Sequence, residues 1–387
     1  MSLRDRMNPA TLPKRLLALD GGGIRGLITI EMLAQLETVL RDATAAGPDF
    51  RLSQYFDYVA GTSTGAIIAT CVSLGMSVDE IRAFYIANGA AMFARANVLN
   101  RFRYKYEDDQ LAAKLRDVFD RYLPAEERAR GDGHITLGSA ALRTLLLVVM
   151  RNATTDSPWP ISNNPDAKYN TSDRDDSNLR IPLWQLVRAS TAAPTYFPPE
   201  EVRIGTRSFL FVDGGVTTYN NPAFLVFLMG TVGAYRLGWE TGADRMLLVS
   251  LGTGTSPHAN TNLAAGEMNL LYNAGTIPSA LMYAALNEQD MLCRAFGRCR
   301  AGASLDSELD TMALAPDAEQ RDRLPRLFTY MRYNVELSRD GLAALGLDDV
   351  MPEHVQQMDS IEYMDDLRRV GREAGKQIVA DHFAGFV

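Results

Sequence analysis

Three short stretches carry residue types that can do chemistry. In "GTSTG", Gly61 to Gly65, Ser63 stands where the apolar run "YFDYVA" gives way to the helix-like run "AIIATC". This is the G-x-S-x-G nucleophile elbow, whose small flanking residues let the chain turn sharply and push the serine Oγ into a cleft. A serine hydroxyl is a weak nucleophile until a base takes its proton. One candidate base is Asp213, which ends the apolar run "SFLFV" and is followed by Gly214 and Gly215. A carboxylate emerging there accepts the proton directly if it lies within hydrogen-bond reach of Ser63. The third stretch is "DGGGIRG", Asp20 to Gly26, between the strand-like "RLLAL" and the helix-like "LITIEMLAQLETVL". Backbone N–H groups at such a strand-to-helix loop are placed to meet an anion.

Two alternatives stay open on these residues alone. The base can be a histidine, and the chain has four: His134, His258, His354 and His382. His258 follows the end of a strand in "GTGTSPH", and His382 lies near the C-terminus beside an acidic residue, so a Ser–His–Asp esterase through either is the rival to Asp213. The anion at the glycine loop can instead be a nucleotide phosphate, because "GGGIRG" also satisfies G-x-G-x-x-G. A dinucleotide site calls for an acidic residue at the end of a second strand about 20 residues on. Thr44 to Asp49 offers no such strand, and there is no G-K-[ST].

The elements that must position these residues read as strand–loop–helix units. Leu16 to Leu19, Tyr55 to Gly61, Thr144 to Met150, Ser208 to Asp213 and Arg245 to Gly252 form apolar, strand-like runs. Leu27 to Arg41 is helical, with Leu33, Leu36 and Leu40 on one face, and Asp108 opens a helix carrying Leu111, Leu115, Val118, Phe119 and Tyr122. Ser77 and Glu80 form a capping box for the helix that starts there. Apolar runs separated by helices describe a parallel sheet covered on both faces. Residues 152–180 are polar and read as a long loop, lid-like or shaping an entry. Beyond about Asn260 the pattern is mainly helical, with one strand-like run, "LFTYMRYNVEL".

Composition bounds the rest. A chain of 387 residues accommodates one large α/β domain. We read residues 1–13 as a flexible N-terminus, 14–340 as the main domain and 341–387 as helices packed on it. A net charge of −8 argues against a nucleic acid polymer as partner. Cys71, Cys293 and Cys299 are too few and scattered for a disulfide framework, so reduced thiols are expected. The N-terminus has no apolar h-region, and the apolar part of Gly214–Tyr235 is too short to span a bilayer. The expectation is a cytoplasmic protein that touches membranes from outside. "RFRYKY", Arg101 to Tyr106, alternates cations with aromatics as a headgroup interface does.

In order, "DGGGIRG", "GTSTG" and "DGG", together with "FDYVAGTSTGAIIA", "ASTAAPTYFPP", "VDGGVTTYNNPA" and "VSLGTG", resemble the patatin-like phospholipases over roughly Lys14 to Gly254. The resemblance implies a three-layer α/β/α sandwich with a mainly parallel central sheet and a helical C-terminal portion. It implies Ser63 as nucleophile, Asp213 as base, and an oxyanion hole of N–H groups around Gly22, Gly23 and Ile24 with Arg25 in the family's basic position. Gly21, Gly26, Gly61, Gly65, Gly214 and Gly215 are the remaining motif positions. It further implies a lipid acyl hydrolase acting on membrane phospholipids, with no metal and no cofactor. Some bacterial members of similar size serve as antiphage effectors that degrade membranes when a cyclic nucleotide binds. A cyclic oligonucleotide activator and a homo-oligomer are compatible with that resemblance.

Overall fold

The continuous apolar runs become the strands of one mixed sheet. A computed structural model of the chain describes residues 2–93, 110–131, 133–171, 173–194, 196–255, 270–306, 308–312, 325–359 and 361–387. The strands are β1 (Lys14–Leu19), β2 (Tyr58–Thr62), β3 (Leu145–Asn152), β4 (Ser157–Ser162), β5 (Glu200–Ile204), β6 (Arg207–Asp213), β7 (Met246–Leu251), β8 (Gly297–Ala301) and β9 (Phe328–Tyr333). Their order is β5-β6-β3-β2-β1-β7-β9-β8, with β4 also paired to β3. The five pairings from β3 through to β8 are parallel, whereas β4, β5 and β6 run antiparallel to their neighbours.

Side chains alternate across the sheet with period two, so each face owns a core. Leu17, Leu19, Val59, Leu146, Val148, Val249 and Met331 face one layer. That layer includes α1 (Gly26–Ala43), α2 (Thr64–Ser73), α3 (Val78–Phe93), α4 (Gln110–Phe119) and α5 (Leu183–Ser190). Leu16, Ala18, Tyr58, Ala60, Leu147, Leu248 and Tyr330 face the other, which holds α6 (Ala223–Thr231) and the C-terminal half of α7 (Leu270–Phe296). The result is a three-layer α/β/α sandwich. The Ser77–Glu80 capping box forms as expected: Glu80 Oε2 accepts from the Ser77 N–H at 2.7 Å, and Ser77 Oγ accepts from the Glu80 N–H at 3.2 Å. All three cysteines are buried free thiols. No described helix is long and apolar enough to cross a membrane.

Three expectations are corrected. Tyr55 does not begin a strand but ends a short helix, Leu52–Tyr55, because Gln54 Oε1 accepts the Arg51 N–H at 3.1 Å and closes a turn there. Residues 1–13 are not loose throughout. Leu3–Met7 is a helix capped by Ser2, and buried Arg6 donates to the Phe56 carbonyl at 2.7 Å and pairs with Asp57 at 3.1 Å. Residues 152–180 are not one long loop, since β4 folds back on β3 from Ser157. Pro158 and Pro160 hide that strand in the sequence, and they are tolerated because among the described residues β4 pairs on one edge only, with β3. "RFRYKY" and His258 lie outside the described residues.

The C-terminal helix α8 (Met364–Gly375) lies across α1. Glu31, buried on α1, is shared by Arg82 of α3 at 3.0 Å and Arg368 of α8 at 2.9 Å. The crossing is close because Gly371 has no side chain: a Cβ there would stand 2.7 Å from the Ile28 carbonyl oxygen and 2.8 Å from Glu31 Cβ. Gly371→Ala therefore forces α8 off α1, and a loss of about 1–3 kcal/mol is expected from chemical denaturation. An unchanged unfolding midpoint would show that the two helices separate freely.

Candidate active site

The site begins with a backbone constraint. Ser63 joins β2 to α2 at φ 55°, ψ −124°, a conformation that few non-glycine residues adopt. The glycines on either side are required by contact. A Cβ on Gly61 would collide with the Gly65 carbonyl, and one on Gly65 would collide with the Leu19 carbonyl of β1. The Ser63 N–H donates to Ser190 Oγ at 2.9 Å, and that hydroxyl donates to the Val149 carbonyl of β3 at 2.5 Å. Ser190, the last residue of α5, thus ties the strained turn to the sheet.

Asp213 reaches Ser63 through the way β3 is shared. A strand has two hydrogen-bonding edges, and β4 occupies one of them along Leu147–Asn152. On the other edge β2 pairs as far as Thr62↔Val149, and β6 then takes over, antiparallel, from Met150↔Asp213. The two strands meet end to end, so the residue after Thr62 and the last residue of β6 are neighbours. Ser63 Oγ donates to Asp213 Oδ2 at 2.7 Å, and Gly215 N–H donates to Oδ1 at 2.6 Å. Gly214 lies so near β3 that a Cβ there would collide with the Val149 carbonyl.

Burial makes this carboxylate more basic than an exposed one. Burial drives the Asp213 pKa up to about 6, against the hydrogen bonds from Ser63 and Gly215 and the charge of Arg188. Arg188 is itself buried on α5, with its guanidinium over the Phe197 ring at 5.2 Å. Ser63 is partly exposed, so a substrate can reach it.

The glycine loop packs directly on the dyad: a Cβ at Gly21 would be 3.2 Å from Ser63 Cβ and would collide with the Asn220 side chain. Its N–H groups are not equivalent. Gly21 N–H donates to the Asn220 carbonyl at 3.1 Å, Arg25 N–H to the Gly22 carbonyl at 3.3 Å, and Ile24 N–H to the Met358 carbonyl at 2.9 Å. Among the described residues, the N–H groups of Gly22 and Gly23 have no protein acceptor. Of the expected donors Gly22, Gly23 and Ile24, the third is thus already engaged by a protein carbonyl. Gly23 has φ +61° and faces the Met358 carbonyl so closely that no Cβ fits. Residues 356–358 form a strap over the loop, since the Gln356 carbonyl accepts from Arg25 Nη1 at 3.2 Å and Gln356 Nε2 donates to the Leu337 carbonyl at 2.8 Å.

Arg25 pairs with neither of the carboxylates nearby in sequence, Asp20 and Glu31. Glu31 belongs to Arg82 and Arg368, and Asp20 is held by Arg332 through contacts of 2.9 and 2.6 Å. Burial pulls the Arg25 pKa down to about 10, with Asp20 opposing. A desolvated cation therefore stands behind the loop without an ion-pair partner among the described residues. Gly26, at the start of α1, packs against Thr64 and Tyr85.

The histidine alternative finds no support among the described residues. His134 contacts Asp120 at 2.7 Å, His354 contacts Asp366 at 3.2 Å, and His382 contacts Tyr333 at 2.8 Å. A dinucleotide reading of the loop also lacks its acid, since β2 ends in Gly61–Thr62. Sequence reasoning missed Arg188, Ser190, Asn220, Arg332 and Met358. The first three sit in or beside the blocks "ASTAAPTYFPP" and "VDGGVTTYNNPA", yet no local spacing marks their roles.

Arg332→Met would leave Asp20 buried without its partner, so a stability loss of about 3–5 kcal/mol is expected in denaturant titrations. Asp20→Asn combined with Arg332→Met should recover part of it. Equal losses in the single and double variants would mean that the pair is not coupled.

Comparison with known proteins places the chain in a family. The family model "Patatin-like phospholipase" matches residues 17–227. The chain is 30% identical over 250 residues to "Intracellular phospholipase A2" of Caenorhabditis elegans, covering 62% of this chain and 20% of that protein. It is 28% identical over 274 residues to "Patatin-17" of Solanum cardiophyllum, covering 65% and 63%. It is 30% identical over 305 residues to "Patatin-like protein 1" of Oryza sativa subsp. indica, covering 70% and 67%. The match thus spans a fifth of the worm protein and just under two thirds of the first patatin. With a matched segment that takes in the glycine loop, the elbow and the Asp213 turn, the chain belongs to the patatin-like phospholipase family.

Proposed function

We propose that the protein is a serine acyl hydrolase of phospholipase A type, cleaving acyl esters of membrane glycerophospholipids through a Ser63–Asp213 dyad. The 2.7 Å hydrogen bond from Ser63 Oγ to Asp213 Oδ2 carries this reading. As Oγ attacks the ester carbonyl, its proton passes to Oδ2. The tetrahedral oxyanion is held by the N–H groups of Gly22 and Gly23, with the Arg25 charge behind them. Collapse sends the proton from Asp213 to the departing glycerol oxygen and leaves an acyl-enzyme on Ser63. A water, deprotonated by Asp213, then releases the fatty acid and restores the hydroxyl. Proton transfer and anion binding both come from the chain, so the step calls for no metal or cofactor. The whole of residues 14–387 acts as one hydrolase unit in this reading, because residues 356–358 hold the loop that does the chemistry. The protein works in the cytoplasm, with peripheral contact to membranes.

A second observation favours an anionic activator. A surface cavity of about 610 Å³ away from the dyad is lined by Arg116, Arg121, Arg128, His134, Asp117 and Asp120. Asp120 is already engaged by His134 and the Ile135 N–H, and Arg116 stacks on Trp184. Guanidinium groups beside an aromatic ring suit a phosphate joined to a base. We therefore also propose a cyclic oligonucleotide as activator, in keeping with a membrane-degrading antiphage effector that acts as a homo-oligomer. Dialysed protein assayed on phospholipid vesicles should speed up with one member of a panel of cyclic di- and trinucleotides. Equal rates across the panel would remove this part.

Mass spectrometry of products from mixed phospholipids tests the chemistry. Ser63→Ala should abolish fatty-acid release, and Asp213→Asn should lower kcat by about 10²–10⁴. Retained hydrolysis in Ser63→Ala would falsify the dyad. Because the base must be ionised and Asp213 titrates at about 6, kcat/KM should rise with pH through that value and then level off. A profile flat from pH 5 to 8, about a unit or more on either side, would exclude Asp213 as the base. Gly23→Ala should cut kcat by about 10²–10³ with little change in KM, since the new methyl displaces the Met358 strap and with it the oxyanion donors.

A further inference from the structure

Helix α7 is arranged the wrong way round for a helix that meets only water. Its C-terminal half buries polar groups: Asp290 pairs with Arg294 at 3.0 Å and accepts from Tyr330 at 2.9 Å, and Gln289 is buried beside them. Before them, residues 280–287 include no charged side chain. Among these Ala280, Leu281, Tyr283 and Ala284 are exposed, Leu281 by 65%. Exposed apolar clusters of this kind mark binding surfaces. The position of the cluster says what it meets. Met282, between Leu281 and Tyr283, puts its Cε 3.7 Å from where a Gly215 side chain would begin, and Gly215 N–H holds the Asp213 carboxylate. Val216, next in sequence, is also exposed.

We propose that residues 280–284 of α7, with Val216, form the face by which the protein inserts into a lipid bilayer, setting the dyad against the acyl esters at the interface. This rests on the phospholipase reading above. The anchored C-terminal part of α7 fixes the height of the apolar turn, and Met282, lying over the open side of Gly215, sets that turn beside the base. The face carries no charge and the chain is net negative. Binding is therefore driven by apolar insertion rather than by attraction to anionic headgroups.

The test uses the full chain, phosphatidylcholine vesicles and a soluble short-chain nitrophenyl ester. Leu281→Asp and Tyr283→Asp should each lower vesicle partition and vesicle hydrolysis at least about tenfold, with soluble-ester kcat/KM held within about twofold. Leu281→Trp should raise partition, since Trp favours the interface, and added salt should not weaken wild-type binding. Unchanged vesicle partition in both Asp variants would overturn the proposal. So would a shift of those variants from oligomer to monomer with vesicle binding intact, which would make the face a contact between copies of the chain. The phospholipase reading fails separately, if wild-type protein binds the vesicles and hydrolyses the soluble ester but releases no fatty acid from phospholipid.

Discussion

Ser63 can present its hydroxyl only if its backbone is held where an ordinary residue does not rest. At φ 55° and ψ −124° the turn stores strain that its neighbours must oppose. The opposition is steric and polar together. Gly61 and Gly65 let β2, α2 and the end of β1 close to backbone contact, and Ser190 accepts the Ser63 N–H while donating to β3. Such a conformation survives only inside a rigid frame, and the frame is the sheet centre, where β2 is wholly buried and β1 and β3 are buried at all but one residue each. The strain is local, but what sustains it is spread over three strands and two helices.

The same frame raises the basicity of the carboxylate that Ser63 Oγ meets. An exposed aspartate is too weak a base for this proton, because water stabilises its charge. At the junction of β2 and β6 Asp213 loses that water, and its pKa climbs to about 6. The gain in basicity has a thermodynamic cost. The native state binds this proton more tightly than the unfolded chain, so stability declines as pH rises between the ordinary carboxylate value of 3.8 and about 6. Gly215 and Arg188 limit the cost by favouring the ionised form. Basicity and stability are thus set against each other at one side chain, and its neighbours fix the compromise.

Much of this was legible in the sequence, for a physical reason. The elbow and the glycine loop depend on residue types within a few positions of the reacting group, and strands buried on both faces announce themselves as apolar runs. Elements that depend on partners far along the chain left no such mark. β4 was obscured by Pro158 and Pro160, whose tolerance depends on an edge that only the folded sheet defines. Leu52–Tyr55 looked like the start of a strand because its helical turn is closed by Gln54 rather than by periodicity. Arg188 and Ser190 lie more than a hundred residues from Ser63, and nothing in their own neighbourhood says that α5 ends against the nucleophile. The glycine loop announces free backbone donors in its residue types, yet which N–H groups remain free is decided by Met358, more than three hundred residues away.

That last dependence bears on how the fold divides its labour. In the loop itself Gly22 and Gly23 contribute donors and no rigidity, since neither has a side chain to pack. Rigidity is lent by two layers on either side. Thr253, after β7, fills the space against Gly22 and donates to the Gly21 carbonyl at 2.9 Å. The strap at 356–358 closes over Gly23 and consumes the Ile24 N–H. Oxyanion donors act only when their direction is fixed before charge develops, since reorientation during reaction would spend the energy they supply. The C-terminal helices therefore share in holding the loop's geometry: α8 locks onto α1 through Gly371 and Glu31, α1 begins at the loop, and the strap that leads into α8 covers it.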